Sequence, residues 1–111
     1  MGINQSADSI PGVSVSKIVA QHDIVVFQSY GCPYCDDAIG QLTSAGYKPN
    51  VIEANREQRN ELAVATKSSS VPSIWIKGKY VGGCNDGPEN WMGITKILRN
   101  NKMDELLNHK N

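Results

Sequence analysis

The sequence predicts an α/β fold in which a four-stranded mixed β-sheet is flanked by helices. Three observations predict it. Apolar β-branched runs alternate with amphipathic helical patterns in the order α-β-α-β-α-β-β-α. The first two strands are separated by a helix and so run parallel, while the last two are joined by a tight turn and form an antiparallel hairpin. A Cys32-Pro33-Tyr34-Cys35 tetrapeptide stands where the first strand gives way to a helix.

The elements follow in order. Pro11 and Gly12 break any earlier structure, and Ser14 or Ser16 supplies the cap of a short helix running to about His22, with Val15, Ile18 and Val19 on one face. Ile24-Val25-Val26-Phe27 reads as a strand buried on both faces. Cys32 opens the second helix: Pro33 suits its first position, Asp36 and Asp37 its positive end, and Ala38, Ile39, Leu42 and Ala45 form its apolar stripe. Gly46 ends it, and Val51-Ile52 begin the next strand. A third helix spans Arg56 to Lys67 with Leu62, Val64 and Ala65 facing inward, and Ser68-Ser69-Ser70 stops it. Ile74-Trp75-Ile76, a turn at Gly78-Lys79, and Tyr80-Val81 make the hairpin. From Pro88 onward, Trp91, Met92, Ile94, Ile97, Leu98, Met103, Leu106 and Leu107 indicate one or two final helices.

Composition bounds the function. With 111 residues there is room for one domain, read as residues 13–111 behind a flexible tail at 1–12. Eleven basic and eleven acidic side chains cancel, and no run of Lys or Arg offers a footprint for nucleic acid. No apolar run is long enough to span a bilayer, and no secretory signal is visible. Met1-Gly2-Ile3-Asn4-Gln5-Ser6 matches the pattern for N-myristoylation, but its polar setting favours a plain tail without a membrane role. Three cysteines, odd and sparse, fit a reducing, cytoplasmic setting in which thiols serve chemistry.

That chemistry centres on the cysteine pair. Spacing i, i+3 puts both sulfurs on one side of a helix. Cys32, coming first, faces the unpaired amides of Tyr34 and Cys35 and the positive end of the helix dipole, which favours its thiolate. Cys35 lies one turn inside and holds its proton longer. The roles follow: Cys32 attacks and Cys35 resolves. The competing use of such a pair is zinc, with Cys32, Cys35, Cys84 and His22 or His109 as ligands. A helix start after a buried strand and the lack of a second CxxC or an HxxxH count against it, so no metal is expected.

Three motifs carry a resemblance to a known family. Cys32-Pro33-Tyr34-Cys35, Ser70-Val71-Pro72 and Gly82-Gly83-Cys84-Asn85-Asp86 resemble, in order and spacing, the active-site tetrapeptide, the Thr-Val-Pro segment and the Gly-Gly-Cys-Ser/Asn-Asp turn of dithiol glutaredoxins, which have the thioredoxin-like fold. The resemblance runs from about Ser14 to Leu107. It implies a glutathione-dependent oxidoreductase that reduces protein disulfides and glutathione mixed disulfides, with glutathione or a related low-molecular-weight thiol as co-substrate and the chain working as a monomer. It implies a cis Val71-Pro72 bond, with the Val71 backbone pairing the cysteine residue of glutathione as an added strand. Gly82-Gly83 lets the backbone come close, and Gly83 and Cys84 count among the residues that the resemblance implies for glutathione binding. A helix beginning at Asn85 and Asp86 takes the γ-glutamyl carboxylate at its N-terminus while Asp86 pairs with the ammonium group. Tyr34 walls the cleft, and Arg59 meets the glycyl carboxylate.

The departures are specific. The family commonly has Lys where this chain has Ser29, and often a basic residue where it has Asp36-Asp37. The stretch Gly87 to Ile97 is longer than the usual link to the last helix. Two other readings stand beside the glutaredoxin one. A thioredoxin-like protein disulfide reductase typically carries Gly-Pro between its cysteines and a Trp before them, unlike this chain. A carrier bridging two subunits through an iron–sulfur cluster and glutathione often replaces the proline after the first cysteine.

Overall fold

The structure, a computed structural model, describes residues 14–108; the tail at 1–12, the acylation pattern and His109 lie outside them. Five helices and four strands occur among these residues: α1 Val15–Gln21, β1 Ile24–Gln28, α2 Pro33–Ser44, β2 Asn50–Glu53, α3 Arg56–Thr66, β3 Ser73–Ile76, β4 Lys79–Gly82, α4 Ile94–Arg99 and α5 Met103–Leu107. The sheet order is β2-β1-β3-β4, with β1 and β2 parallel and the other pairs antiparallel. The predicted mixed sheet flanked by helices is therefore the observed one.

β1 is central and its alternation divides the core. Ile24 and Val26 face a layer built with Ala38, Leu42, Ile74, Ile76, Ile94 and Ile97. Val25 and Phe27 face Val15, Ile18, Ile52 and Leu62 on the other side. All four are buried, as a strand covered on both faces requires. Burial of a side chain such as Phe27 contributes about 1.5–3 kcal/mol, so the strand feeding the cysteine pair is firmly held.

Local chemistry explains the helix ends. Ser14 caps α1 by accepting the Lys17 N–H. Asn55 and Gln58 form a reciprocal capping box at α3. Gly46, at φ +95°, ends α2 where the sequence expected. Three expectations are corrected. Among α3's apolar residues only Leu62 is buried; it shares its stripe with Gln58 one turn earlier, while Val64, rotated about 200° from Leu62, is 83% exposed. The hairpin turn is Lys77-Gly78, both at positive φ, with Ile76 opposite Lys79, as a two-residue loop matched to strand twist demands. No helix begins at Asn85 or Asp86; the next one starts at Ile94.

That last difference has a local cause. Gly87 precedes Pro88, whose ring disfavours helical backbone in the residue before it. The chain leaves at Gly87 and returns at Gly93, where the ends of the excursion meet: the Gly93 N–H donates to the Val81 carbonyl, Ile94 N–H to Gly83 and Thr95 N–H to Cys84, each at 2.9 Å. Gly93 sits at φ +104°, and a Cβ there would lie 2.5 Å from Asn85 C and Asp86 N, so only glycine fits. Met92 is buried, and Trp91 packs against the core under the ammonium groups of Lys79 and Lys102, 5.7 and 5.1 Å from its ring centre.

Candidate active site

β1 delivers the chain to the redox pair. Gln28 and Glu53 are register partners across β1 and β2. The Glu53 carboxylate accepts the Tyr30 N–H at 2.8 Å and the Gln28 side-chain amide at 3.5 Å, so the sheet end pins the approach to Cys32. Cys32 then stands as the N-cap of α2, and its Sγ accepts the Cys35 N–H at 3.1 Å. A sulfur thus fills the place usually taken by a Ser or Asp oxygen, facing the orphan amides and the positive end of the dipole. The two cysteines are joined as a disulfide, with their Cα atoms 5.2 Å apart. They differ in access: Cys35 is 0% exposed and Cys32 is half-buried.

The opposite wall is the segment before β3. The Val71-Pro72 bond is cis, and the Val71 carbonyl oxygen lies 3.9 Å from Cys32 Sγ. The Val71 N–H has no partner among the described residues. Behind it, the turn after β4 closes in: the Gly83 N–H donates to the Asp86 carbonyl at 2.8 Å, and a Cβ on Gly83 would lie 3.2 Å from the Pro72 carbonyl oxygen. An open cleft of about 760 Å³ runs between these walls, lined by Tyr34, Val71, Pro72, Gly83, Cys84, Asn85 and Asp86. The structure therefore gathers these predicted residues along one cleft, whose Val71 wall meets Cys32 Sγ.

Arg59 is not among them. It lines a separate concavity of about 280 Å³ with Ala54, Arg56 and Asn60. The cation that does line the cleft is Lys67, which the sequence pattern marks only as the end of a helix. It is the C-cap of α3, at φ +62°, a left-handed position where glycine is the usual choice. Its signal was arithmetic: only three serines separate it from Val71. Tyr80 also joins the lining. Burial pushes its phenol above the ordinary value, a hydrogen bond with Thr66 opposes this, and the Asp86 charge adds to it.

Cys84 is buried, with 4% exposure, and so serves as a small core side chain. Its thiol donates to Asp37 Oδ2 at 3.5 Å and accepts from Gln41 Nε2 at 3.8 Å. Burial is the main cause of its raised pKa; a hydrogen bond with Thr95 lowers it, and the Asp37 carboxylate raises it further. Gln41 Nε2 also donates to Thr95 Oγ1 at 2.8 Å, and that hydroxyl donates to Asn85 Oδ1 at 3.0 Å. This chain ties the active-site helix to the turn that walls the cleft. Asp37 is thereby turned toward Cys84 and Gln41. Among the described residues, no group of three or more metal-ligating side chains gathers.

A cysteine pair capping a helix after a central strand, opposite a cis-proline, defines a thiol–disulfide oxidoreductase of the thioredoxin-like fold. Comparison with known proteins narrows the class. The glutaredoxin family model matches residues 24–81, which contain the cysteine pair and Val71-Pro72. Glutaredoxin-1 of Rhizophagus irregularis is 31% identical over 77 residues, covering 65% of this chain and 76% of that protein. The crystal structure of wheat glutaredoxin superposes with a TM-score of 0.71 at 30% identity, over 83% of this chain and 85% of that one. A buckwheat glutaredoxin–glutathione complex shares the fold, with a TM-score of 0.70 at 24% identity over 83% of this chain and 82% of that one. The chain belongs to the glutaredoxin family, whose members are thiol–disulfide oxidoreductases that use glutathione as substrate.

Proposed function

We propose that the chain reduces glutathione mixed disulfides and protein disulfides, with Cys32 as nucleophile, Cys35 as resolving thiol and glutathione as electron donor. The observation that carries the assignment is the unequal access of the two sulfurs, together with the Cys35 N–H aimed at Cys32 Sγ. The Cys32 thiolate attacks the glutathione sulfur of a mixed disulfide. The S–S bond of the substrate breaks, a Cys32–glutathione disulfide forms, and the released thiolate takes a proton from solvent. A second glutathione thiolate then attacks that glutathione sulfur, giving oxidised glutathione and restoring the Cys32 thiolate.

With a protein disulfide, Cys32 forms the mixed disulfide and the Cys35 thiolate, after losing its proton, displaces the substrate thiolate. The Cys32–Cys35 disulfide that results is the state present in this structure. Two glutathione molecules return it to the dithiol, the first attacking Cys32 because Cys35 is covered. The unpaired Val71 N–H and the nearby carbonyl support pairing with the cysteine backbone of glutathione, with Tyr34, Pro72, Gly83, Cys84, Asn85 and Asp86 as the rest of the site. In this reading the chain works as a monomer in the cytoplasm, and its sparse cysteine count supports that setting.

Steady-state kinetics with a glutathionylated peptide and with a protein disulfide, glutathione being the reductant, test the reading. Turnover of the glutathionylated peptide is the expected result. Reduction of the protein disulfide only when a dedicated reductase replaces glutathione would overturn it.

A further inference from the structure

On the glutathione reading, the cleft takes one half of a mixed disulfide, and the polypeptide half meets the surface around Cys32 outside it. Tyr30 belongs to that surface. Two peptide units hold its Cα within about 7 Å of the Cys32 Cα, yet Tyr30 is not among the residues lining the cleft. Its side chain is 93% exposed, so none of the described residues covers the ring. Gly31, at φ +75°, turns the chain between the ring and the sulfur.

A fixed backbone presents that ring. The Tyr30 N–H donates to Glu53 Oε2 at 2.8 Å, and the other carboxylate oxygen accepts from Gln28 Nε2 at 3.5 Å. Those bonds position the Glu53 carboxylate without neutralising it: it is exposed and forms no ion pair among the described residues. The arginine nearest to it in sequence, Arg56, lines a separate concavity with Arg59. Between Gln28 and Asp37 the chain carries no basic residue. An exposed aromatic ring with an uncompensated carboxylate at its own backbone suits a guanidinium or ammonium group, which the ring attracts through its negative face and the carboxylate through its charge. Tyrosine makes such a contact at low entropic cost, having few torsions to immobilise. Cysteines beside Lys or Arg form thiolates most readily, so polypeptides open to glutathione capture carry such cations.

We propose that Tyr30 and Glu53 are specificity-determining residues for the polypeptide half of the substrate. They receive a Lys or Arg side chain neighbouring its cysteine, with the cation over the Tyr30 ring and paired with the Glu53 carboxylate. The contact forms and breaks no covalent bond. It brings cation-flanked cysteines to Cys32 Sγ while glutathione occupies the cleft.

The test uses otherwise identical peptides whose single cysteine is joined to glutathione and flanked on both sides by Arg, by Gln or by Glu. The glutathione–2-mercaptoethanol disulfide, which has no side chain to reach Tyr30, is the reference. Relative to it, wild type should prefer the Arg peptide over the Gln peptide by about three- to tenfold in kcat/KM, the combined range of an exposed cation–π contact and an exposed ion pair. The Glu peptide should rank last, and the preference should shrink as salt rises. Tyr30→Ala should lose most of the preference, and Tyr30→Phe, which keeps the ring, should retain it. Glu53→Gln removes the charge, leaves an oxygen for the Tyr30 N–H, and should also lose most of it. Val64→Ala, which removes another exposed apolar side chain, should retain it. Melting temperatures of the variants guard against unfolding. An Arg preference kept by both Tyr30→Ala and Glu53→Gln would overturn the assignment, as would equal use of the three peptides by wild type. A Tyr30→Ala protein slowed equally on the peptides and the reference would overturn it too, since Tyr30 would then act on Cys32 itself. A wild type inactive on every glutathionylated substrate would overturn the glutathione reading, and this contact with it.

Discussion

The backbone N–H of Cys35 donates to Cys32 Sγ across 3.1 Å, so on the proposed roles the resolving residue also supplies the amide that steadies the attacking one. The amide survives any side-chain substitution at position 35, and the thiol does not. Cys32→Ser should abolish all thiol exchange. Cys35→Ser should keep removal of glutathione from mixed disulfides, which needs one thiol, and lose most reduction of intramolecular protein disulfides. Assays of both variants on both substrates check this; a Cys35→Ser protein dead on glutathionylated peptide would reverse the roles.

Cys84 should resist modification. It is covered, and its proton is held by burial and by the Asp37 carboxylate. Mild treatment with oxidised glutathione should leave it unmodified while Cys32 reacts, as intact-mass spectrometry would record. Its raised pKa means that the folded protein binds the thiol proton more tightly than the unfolded chain. The stability tied to it is whole at neutral pH and is lost as pH climbs from the ordinary thiol range through the folded value. Tyr80 acts in the same direction at higher pH. Cys84→Ser keeps a donor for Asp37 without titrating there, and should remove the earlier part of the alkaline loss in denaturant midpoints measured against pH.

Ser29 stands where the family commonly has a lysine close before the first cysteine. A lysine there adds attraction for the thiolate, worth about 0.3–1 kcal/mol near an exposed helix end. Ser29→Lys should therefore raise the alkylation rate of reduced Cys32 at neutral pH by about two- to fivefold, less in high salt. Equal rates for the two proteins at low ionic strength would show that position 29 does not address the sulfur.

Gly93→Ala should destabilise the fold and loosen the site together. The new methyl group would lie 2.5 Å from backbone atoms of Asn85 and Asp86, which have no rotamer to yield, and φ +104° is strained for alanine. A loss of about 1–3 kcal/mol is expected in chemical unfolding. Because the displaced segment walls the cleft, KM for a glutathione mixed disulfide should rise as well. An unchanged midpoint would show that the excursion is not anchored at its neck.

Much of this architecture was legible because its causes are local. The run Ile24 to Phe27, the Pro33 after Cys32 and the cap at Ser14 each announce an element within a few residues. The motifs were legible as geometry where the chain is local: Cys32 caps α2, Cys35 is covered beneath it, and Val71-Pro72 is cis opposite them. Legibility failed where distance in sequence hides proximity or where a neighbour overrides a pattern. Val64 looked apolar and inward, but Gln58 and Leu62 hold that stripe. Arg59 had the charge expected of a ligand contact and lines a separate concavity. Lys67 read as helix termination, and nothing local told that the cleft passes beside it. The late start of α4 was written in Gly87-Pro88, whose meaning depends on the residue before the proline.

Setting one sulfur at the surface above its covered partner gives the enzyme a single electrical terminal. On the proposed roles, electrons enter and leave through Cys32 Sγ, so donor and acceptor never occupy it together and must take turns. Each, in excess, blocks the seat the other needs. Throughput then follows whichever arrival is slower, and raising the thiol supply beyond that point brings competition instead of speed.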